Sequence, residues 1–190
     1  MSAQSVDWTF ETERVCGRLV AKGDINLYLG LYTDASVMRH IADVLSVDAA
    51  AAMFAKALRH NANPAARARY WHLSHQRTAQ PLGIAALVRD AAISSRGELG
   101  LMLLPHAQHS GAGIQALGCV VDGALSQRWR LGIDEVTGRH AEDNVGAGRL
   151  VEYLGFEPFE TGAPGSIGWR LTRDAWRARL ALRATNPHHR

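Results

Sequence analysis

Six consecutive residues, Gln108, His109, Ser110, Gly111, Ala112 and Gly113, carry the strongest chemical signal in the 190-residue chain. An apolar run over residues 99–104 ends at Pro105, and a helical apolar pattern opens with Ile114. The two glycines therefore fall between a buried strand and a helix. The first turn of a helix has unpaired N–H groups and a partial positive charge, which together hold anions and phosphates in particular. A phosphate that approaches the main chain closely needs small side chains there, and glycine adds freedom at positive φ. Residues 109–113 thus predict a nest of N–H groups for a pyrophosphate. The loop is not a Walker A motif, which ends in Gly-Lys-Ser/Thr where this chain has Gly113, Ile114 and Gln115. A dinucleotide fingerprint would need glycine where Ala116 stands. Taken alone, a Gly-x-Gly at a strand–helix junction also serves as a plain helix start.

The elements that must hold this loop follow from periodicity and capping. A strand is predicted over residues 14–21, then a helix capped by Asp24, a short helix over 35–41, and a helix over 47–60 with Ser46 as its cap and Met53, Phe54, Ala57 and Leu58 inward. Residues 69–76 alternate as a strand and pair with a second strand over 81–88 as a hairpin, and 98–104 read as a buried strand. After the helix that follows Gly113 come a strand over 129–136 and a helix capped by Asp143 or Asn144 that ends before Gly155. Strands over 156–160 and 166–171 follow, then a helix over 173–184 capped by Thr172 and a loose tail over 186–190. Strand-like and helix-like segments alternate, which predicts an α/β (α+β) fold in one domain over 1–190. The chain is 47% apolar and 21% charged, which excludes disorder.

Other classes are excluded by what the totals lack. The apolar runs are far too short to span a bilayer, and the first residues have neither a basic n-region nor an apolar core. A cytoplasmic protein without membrane association is expected. Cys16 and Cys119 make no CxxC pair and read as buried small hydrophobes. The formal charge is +3, and lysine occurs only at Lys22 and Lys56. Arginines gather near the C-terminus (Arg170, Arg173, Arg177, Arg179, Arg183), but no run of Lys/Arg alternates with aromatics, so a nucleic-acid partner is not expected. His106, His109 and His140 lack the local pairing of a zinc site, so no metal is expected.

Three blocks in order resemble the GNAT (Gcn5-related) N-acetyltransferases. Residues 108–113 resemble that family's Q/R-x-x-G-x-G/A pyrophosphate loop. Residues 144–156, NVGAGRLVEYLGF, are similar to its N-x-x-x-x-R-x-x-E-x-L-G-F block. The opening FETERVCGRLV with Gly97-Glu98-Leu99-Gly100 resembles the RimJ/RimL-like branch. The likeness spans about residues 9–172. It implies a mixed, mostly antiparallel sheet of six to seven strands, splayed between the fourth and fifth and flanked by helices. Acetyl-CoA would lie in the splay: the main chain of Leu101, Met102 and Leu103 on its pantetheine arm, the Gln108–Gly113 loop on its pyrophosphate, and Asn144 beside it.

The implied reaction moves an acetyl group from acetyl-CoA directly to a primary amine, on a protein N-terminus or a small molecule. The amine must lose a proton, the carbonyl oxygen needs a donor, and the thiolate leaves more easily when protonated. Glu98, at the start of the implied pantetheine strand, is the first choice as base. Glu135 and Asp134 on the facing strand come second, and His72, His75 and His140 are further candidates. The acid departs from the family pattern: the usual tyrosine position holds Val151, the branch's serine position holds Ala147, and Tyr153 points another way on a helix. An acyl-CoA-binding or sensing module without turnover is the alternative. The acceptor, the acyl preference and the oligomeric state stay open, a homodimer being compatible.

Overall fold

The computed structural model describes residues 6–185, so the tail predicted over 186–190 lies outside the described residues. Its sheet has eight strands: β1 (Phe10–Glu11), β2 (Val15–Leu19), β3 (Ala68–His75), β4 (Pro81–Arg89), β5 (Arg96–Leu103), β6 (Glu135–Ala141), β7 (Glu157–Glu160) and β8 (Ser166–Thr172). The order is β1-β2-β3-β4-β5-β6-β8-β7. Every neighbouring pair is antiparallel except β5 with β6. Two antiparallel halves therefore meet along one parallel seam.

Six helices are described: α1 (Ile25–Tyr32), α2 (Ala35–Met38), α3 (Val47–Ala62), α4 (Ala112–Leu125), α5 (Val145–Leu154) and α6 (Arg173–Thr185). Helix α4 is the crossover that the parallel seam requires. It buries Ala116, Leu117, Val120, Val121, Ala124 and Leu125 against Val15, Trp71, Leu73, Ala85, Leu87 and Val136 on one face of the sheet. Helices α1 and α3 cover the other face, where Tyr28, Leu31, Phe54 and Ala57 meet Ile84 and Met102. The alternation predicted for residues 69–76 is present, but both of its sides are covered, Trp71 and Leu73 by α4 and Tyr70 by α1 and α3.

Capping explains where most helices begin. Ser46 accepts from the Ala49 amide, Asp34 from Ser36 and Val37, Asn144 from Ala147, and Thr172 Oγ1 from Ala175. Gly155 ends α5 at φ 87°, in the left-handed region that glycine enters without strain.

Four expectations need correction. The sheet has eight strands rather than six or seven, because residues 10 and 11 fold back on Gly17 and Cys16, with the Phe10 ring lying over Gly17. The strand expected at 129–136 begins instead at Glu135. Its supposed start is an irregular loop whose Trp129 is 1% exposed, stacks on Trp71 at 4.9 Å and meets Trp8 in a tilted pair at 5.4 Å. An aromatic anchor in a loop imitates a strand in an apolar count; such pairs add about 0.5–1.5 kcal/mol beyond area burial. Met53 is 41% exposed, since α3 turns Ala50, Phe54 and Ala57 inward. Asp24 caps backwards: a 3-10 turn (Lys22–Asp24) precedes α1, and its carboxylate accepts from the Ala21 amide at 2.8 Å.

Asp24 also joins β2 to β3. Arg18 grips it with two 2.7 Å hydrogen bonds. His72 Nδ1 lies 3.0 Å away but out of line for a ring N–H, so that contact is electrostatic rather than a hydrogen bond. Burial pushes the Asp24 carboxyl up, yet the Arg18 hydrogen bonds, the Ala21 amide and nearby His72 together hold it below its ordinary 3.8. Burial pushes His72 below its ordinary 6.5, against the pull of Asp24. Both groups therefore bind fewer protons folded than unfolded, so stability rises with pH. The His72 share is complete above its unfolded value and is lost as pH falls below it; the Asp24 share is lost only below 3.8. The melting temperature is expected to drop between about pH 7.5 and about pH 5, and to drop less in His72→Leu. Equal slopes for the two proteins in scanning calorimetry would refute this reading.

Candidate active site

The seam between β5 and β6 closes over three rungs only: Arg96 with Glu135, Gly97 with Val136 and Glu98 with Thr137. Beyond Glu98, β5 continues to Leu103 bonded to β4 alone, while β6 continues to Ala141 bonded to β8 alone. The main chain of residues 99–103 therefore faces a gap where a strand would otherwise lie, and an open sheet edge of this kind takes a partner in strand fashion. Leu99, Leu101 and Leu103 line the α4 side of the gap, and Met102 lies on the α1–α3 side.

The gap leads to the loop. After β5 a 3-10 turn (Pro105–Ala107) is followed by His109 at φ 57° and Gly111 at φ 80°, and α4 starts at Ala112. The loop is braced from beneath. Ser110 Oγ donates to Ala107 O at 2.7 Å, Gln108 Nε2 to Leu103 O at 3.1 Å, and Arg14 to Ser110 O at 3.4 Å. Among the described residues the amides of His109, Ser110, Gly111, Gly113 and Ile114 have no partner. Gly111 has nothing within 4 Å of where a Cβ would stand. Unpaired amides above an open approach fit a bound anion.

The two glycines differ in role, contrary to expectation. Only Gly111 borders open space. A Cβ on Gly113 would meet Leu150 at 3.0 Å and Leu101 and Leu103 at 3.2 Å. Gly113 is a packing glycine that lets α4 sit against β5 and α5.

The remaining candidates separate in space. Asn144 starts α5 with its Oδ1 accepting from Ala147, which leaves its Nδ2 without a partner among the described residues. Glu98 stands on the last rung of the seam, its carboxylate half exposed and held by Arg139, whose Nε and Nη2 reach Oε1 at 3.2 and 3.0 Å. Glu135, two rungs earlier along the seam, is bound to Arg96 Nε at 2.6 Å. Asp134 pairs with Arg173 at 2.6 Å. His72 is engaged with Asp24, and His75 accepts from the Arg77 amide in the hairpin turn. His140 is locked: Trp169 Nε1 donates to its Nε2 at 2.8 Å, so its Nδ1 carries the proton and donates to Ala141 O.

The missing acid stays missing. Val151 is buried in the core, and Tyr153 is 48% exposed beneath Arg179 and Arg183 on the far side of α5. The C-terminal arginines are largely engaged within the fold: Arg173 with Ile133 O and Asp134, Arg179 with Tyr153 O. Cys119 is half-buried in the core, and burial pushes its thiol up to about 11. Among the described residues no group of three or more His, Cys, Asp or Glu could hold a metal ion, and no helix is long and apolar enough to cross a membrane. Sequence reasoning missed Arg139, which meets Glu98 across 41 positions and leaves no trace in local spacing.

A family model described as an acetyltransferase (GNAT) domain matches residues 14–157. No curated protein matches. Among solved structures, spermidine N-acetyltransferase from Vibrio cholerae, in complex with CoA and spermine, is 16% identical over 87% of this chain and 99% of its own, with a TM-score of 0.72. Apo FdhC, a nucleotide-linked sugar GNAT, is 14% identical over 94% and 98%, with a TM-score of 0.76. An acetyltransferase from Agrobacterium tumefaciens C58 is 15% identical over 90% and 98%, with a TM-score of 0.73. At these identities the likeness is one of fold.

The unequal glycines predict unequal substitutions. Gly113→Val should destabilise the fold by about 1–3 kcal/mol through overpacking, whereas Gly111→Ala should cost about 1–2 kcal/mol through its left-handed φ. Urea denaturation measures both, and a Gly113→Val protein as stable as wild type would contradict the packing role.

Proposed function

The chain belongs to the GNAT acetyltransferase family, whose members draw on acetyl-CoA, and from that premise we propose an N-acetyltransferase that acts on a primary amine. The observation that carries the reading is the continuity of the gap with the loop: an unpaired main-chain edge at residues 99–103 runs into the unpartnered amides of 109–114. An extended amide-bearing arm with a pyrophosphate at its end matches that succession of groups. In this reading the main chain of Leu101, Met102 and Leu103 takes the pantetheine. The amides of His109 to Gly113 take the pyrophosphate, with Gln108 bracing the turn, and Asn144 Nδ2 donates beside them. The opening block supports a place in the RimJ/RimL-like branch.

When bound, acetyl-CoA supplies an activated acyl group as a thioester. The chain's part is to align the amine, remove its proton and exclude water. Glu98 is the base of this proposal, because it alone among the candidate carboxylates stands half exposed where the seam opens. Glu135 is more enclosed and tied to Arg96, which weakens its claim. No side chain at 147 or 151 can protonate the thiolate, so a water fills that part.

That same gap in the machinery favours a second reading, an acyl-CoA-binding module without turnover. Tyr153 faces α6, and Val151 and Ala147 carry no acidic proton.

Calorimetry with acetyl-CoA, followed by thiol release over a panel of primary amines, decides between the readings. The expected outcome is saturable binding with amine-dependent release, and a loss of kcat of about 10²–10⁴-fold in Glu98→Gln. Binding without release from any amine would establish the module instead, and no binding at millimolar acetyl-CoA would reject both.

A further inference from the structure

On the proposed reading of the site, the charge arrangement on the acceptor side narrows the acceptor. Glu98, Val88 and Thr137 lie in one row across the sheet, and an uninterrupted β4–β5 register carries that side to Ile84 and Met102 beneath α1 and α3. Glu98 and Arg139 thus sit on the face opposite α4, at the mouth of the gap. Arg139 applies both Nε and Nη2 to the single oxygen Oε1. Among the described residues Glu98 Oε2 and Arg139 Nη1 have no partner, and both side chains are about half exposed. One ion pair therefore presents a free carboxylate oxygen and a free guanidinium N–H side by side.

Two further features bear on the occupant. Thr137 pairs with Glu98 on the last rung of the seam, and its hydroxyl makes no hydrogen bond among the described residues, so it stands beside the pair able to donate to or accept from an occupant. The next residues of that row, Arg170 and Glu157, again carry opposite charges. The face is electrically balanced, and a polycation gains little from a balanced face. A short zwitterion matches it. The guanidinium is a fork suited to a carboxylate, and the Glu98 oxygen beside it suits an ammonium that must then lose its proton.

We propose that Arg139 is a specificity residue and that the acceptor is a free amino acid, an amine with a carboxylate a few bonds away. In the transfer, the amine nitrogen forms a bond to the acetyl carbonyl carbon, the carbon–sulfur bond breaks, and the sulfur leaves with its electron pair. The ammonium gives its first proton to bulk water before the attack, the second leaves the nitrogen for Glu98, and the thiolate takes a proton from water.

Initial rates with free α-amino acids, their α-amides and spermidine test this, the amides standing also for protein N-termini. Wild type should favour the acid over its amide by about ten- to a hundredfold in kcat/KM. Arg139→Ala should abolish the ratio by raising KM for the acid, and Arg139→Lys should restore part of it. If no amine turns over, calorimetry of the CoA-saturated protein with alanine and alaninamide reads the same preference. Acetyl transfer with equal or better use of amides or spermidine would overturn the inference while leaving the N-acetyltransferase standing. So would a ratio unchanged in a folded Arg139→Ala, or an absence of preference in calorimetry. Failure to bind acetyl-CoA at all would remove both.

Discussion

An eight-stranded sheet that stops hydrogen-bonding in its middle is the constraint from which the rest of this molecule follows. Main-chain groups facing a gap must find partners, because an amide or carbonyl withheld from both water and protein is costly. The seam between β5 and β6 ends at Glu98 and Thr137, and the main chain of residues 99–103 faces a gap that no described strand fills. Two antiparallel halves, each bonded within itself, can hold such a gap open because neither depends on the other for its own ladder. The opening is thus a property of topology, and any occupant with regularly spaced amides completes the sheet.

Helix α4 makes the opening useful. As the crossover of the parallel seam it must start where β5 ends and pack across one face. Its amino end therefore arrives at the mouth of the gap with its amides unpaired. The close fit of Gly113 against Leu101, Leu103 and Leu150 fixes that arrival, and the left-handed turn at Gly111 starts the helix beside open space. Packing and the unpartnered amides are set by neighbouring residues in one turn, which is why a short motif can encode both.

Charge is handled differently on the two sides of the sheet. The α4 face is mostly apolar, and its buried charge, Arg69, is taken up by main-chain carbonyls and the Trp8 ring. The α1–α3 face carries the Arg18, Asp24 and His72 cluster at one end and the Glu98–Arg139 pair at the other. The first cluster is largely buried and holds α1 to the sheet, so its charges are coupled to folding. The second is half exposed, so it contributes little to stability and is left free to meet a ligand.

Local chemistry was legible in the sequence wherever one segment contains its own cause. The glycine loop, the caps at Ser46, Asn144 and Thr172, the β3–β4 hairpin and the strand that becomes β5 all depend on neighbours within a few residues, and periodicity or side-chain type records them. Three things could not be read that way. Trp129 looked like part of a strand because its burial against Trp8 and Trp71 is a contact between distant segments. The distinct roles of Gly111 and Gly113 depended on what lies opposite each Cβ position. The partner of Glu98 came from another strand, 41 residues away, through the parallel seam. Residue types and spacing determined what chemistry was available and where an anion would rest. Only the folded sheet decided which carboxylate stands at the opening and what charge faces it, because long-range register is a property of paired strands and leaves no periodic signal in either one.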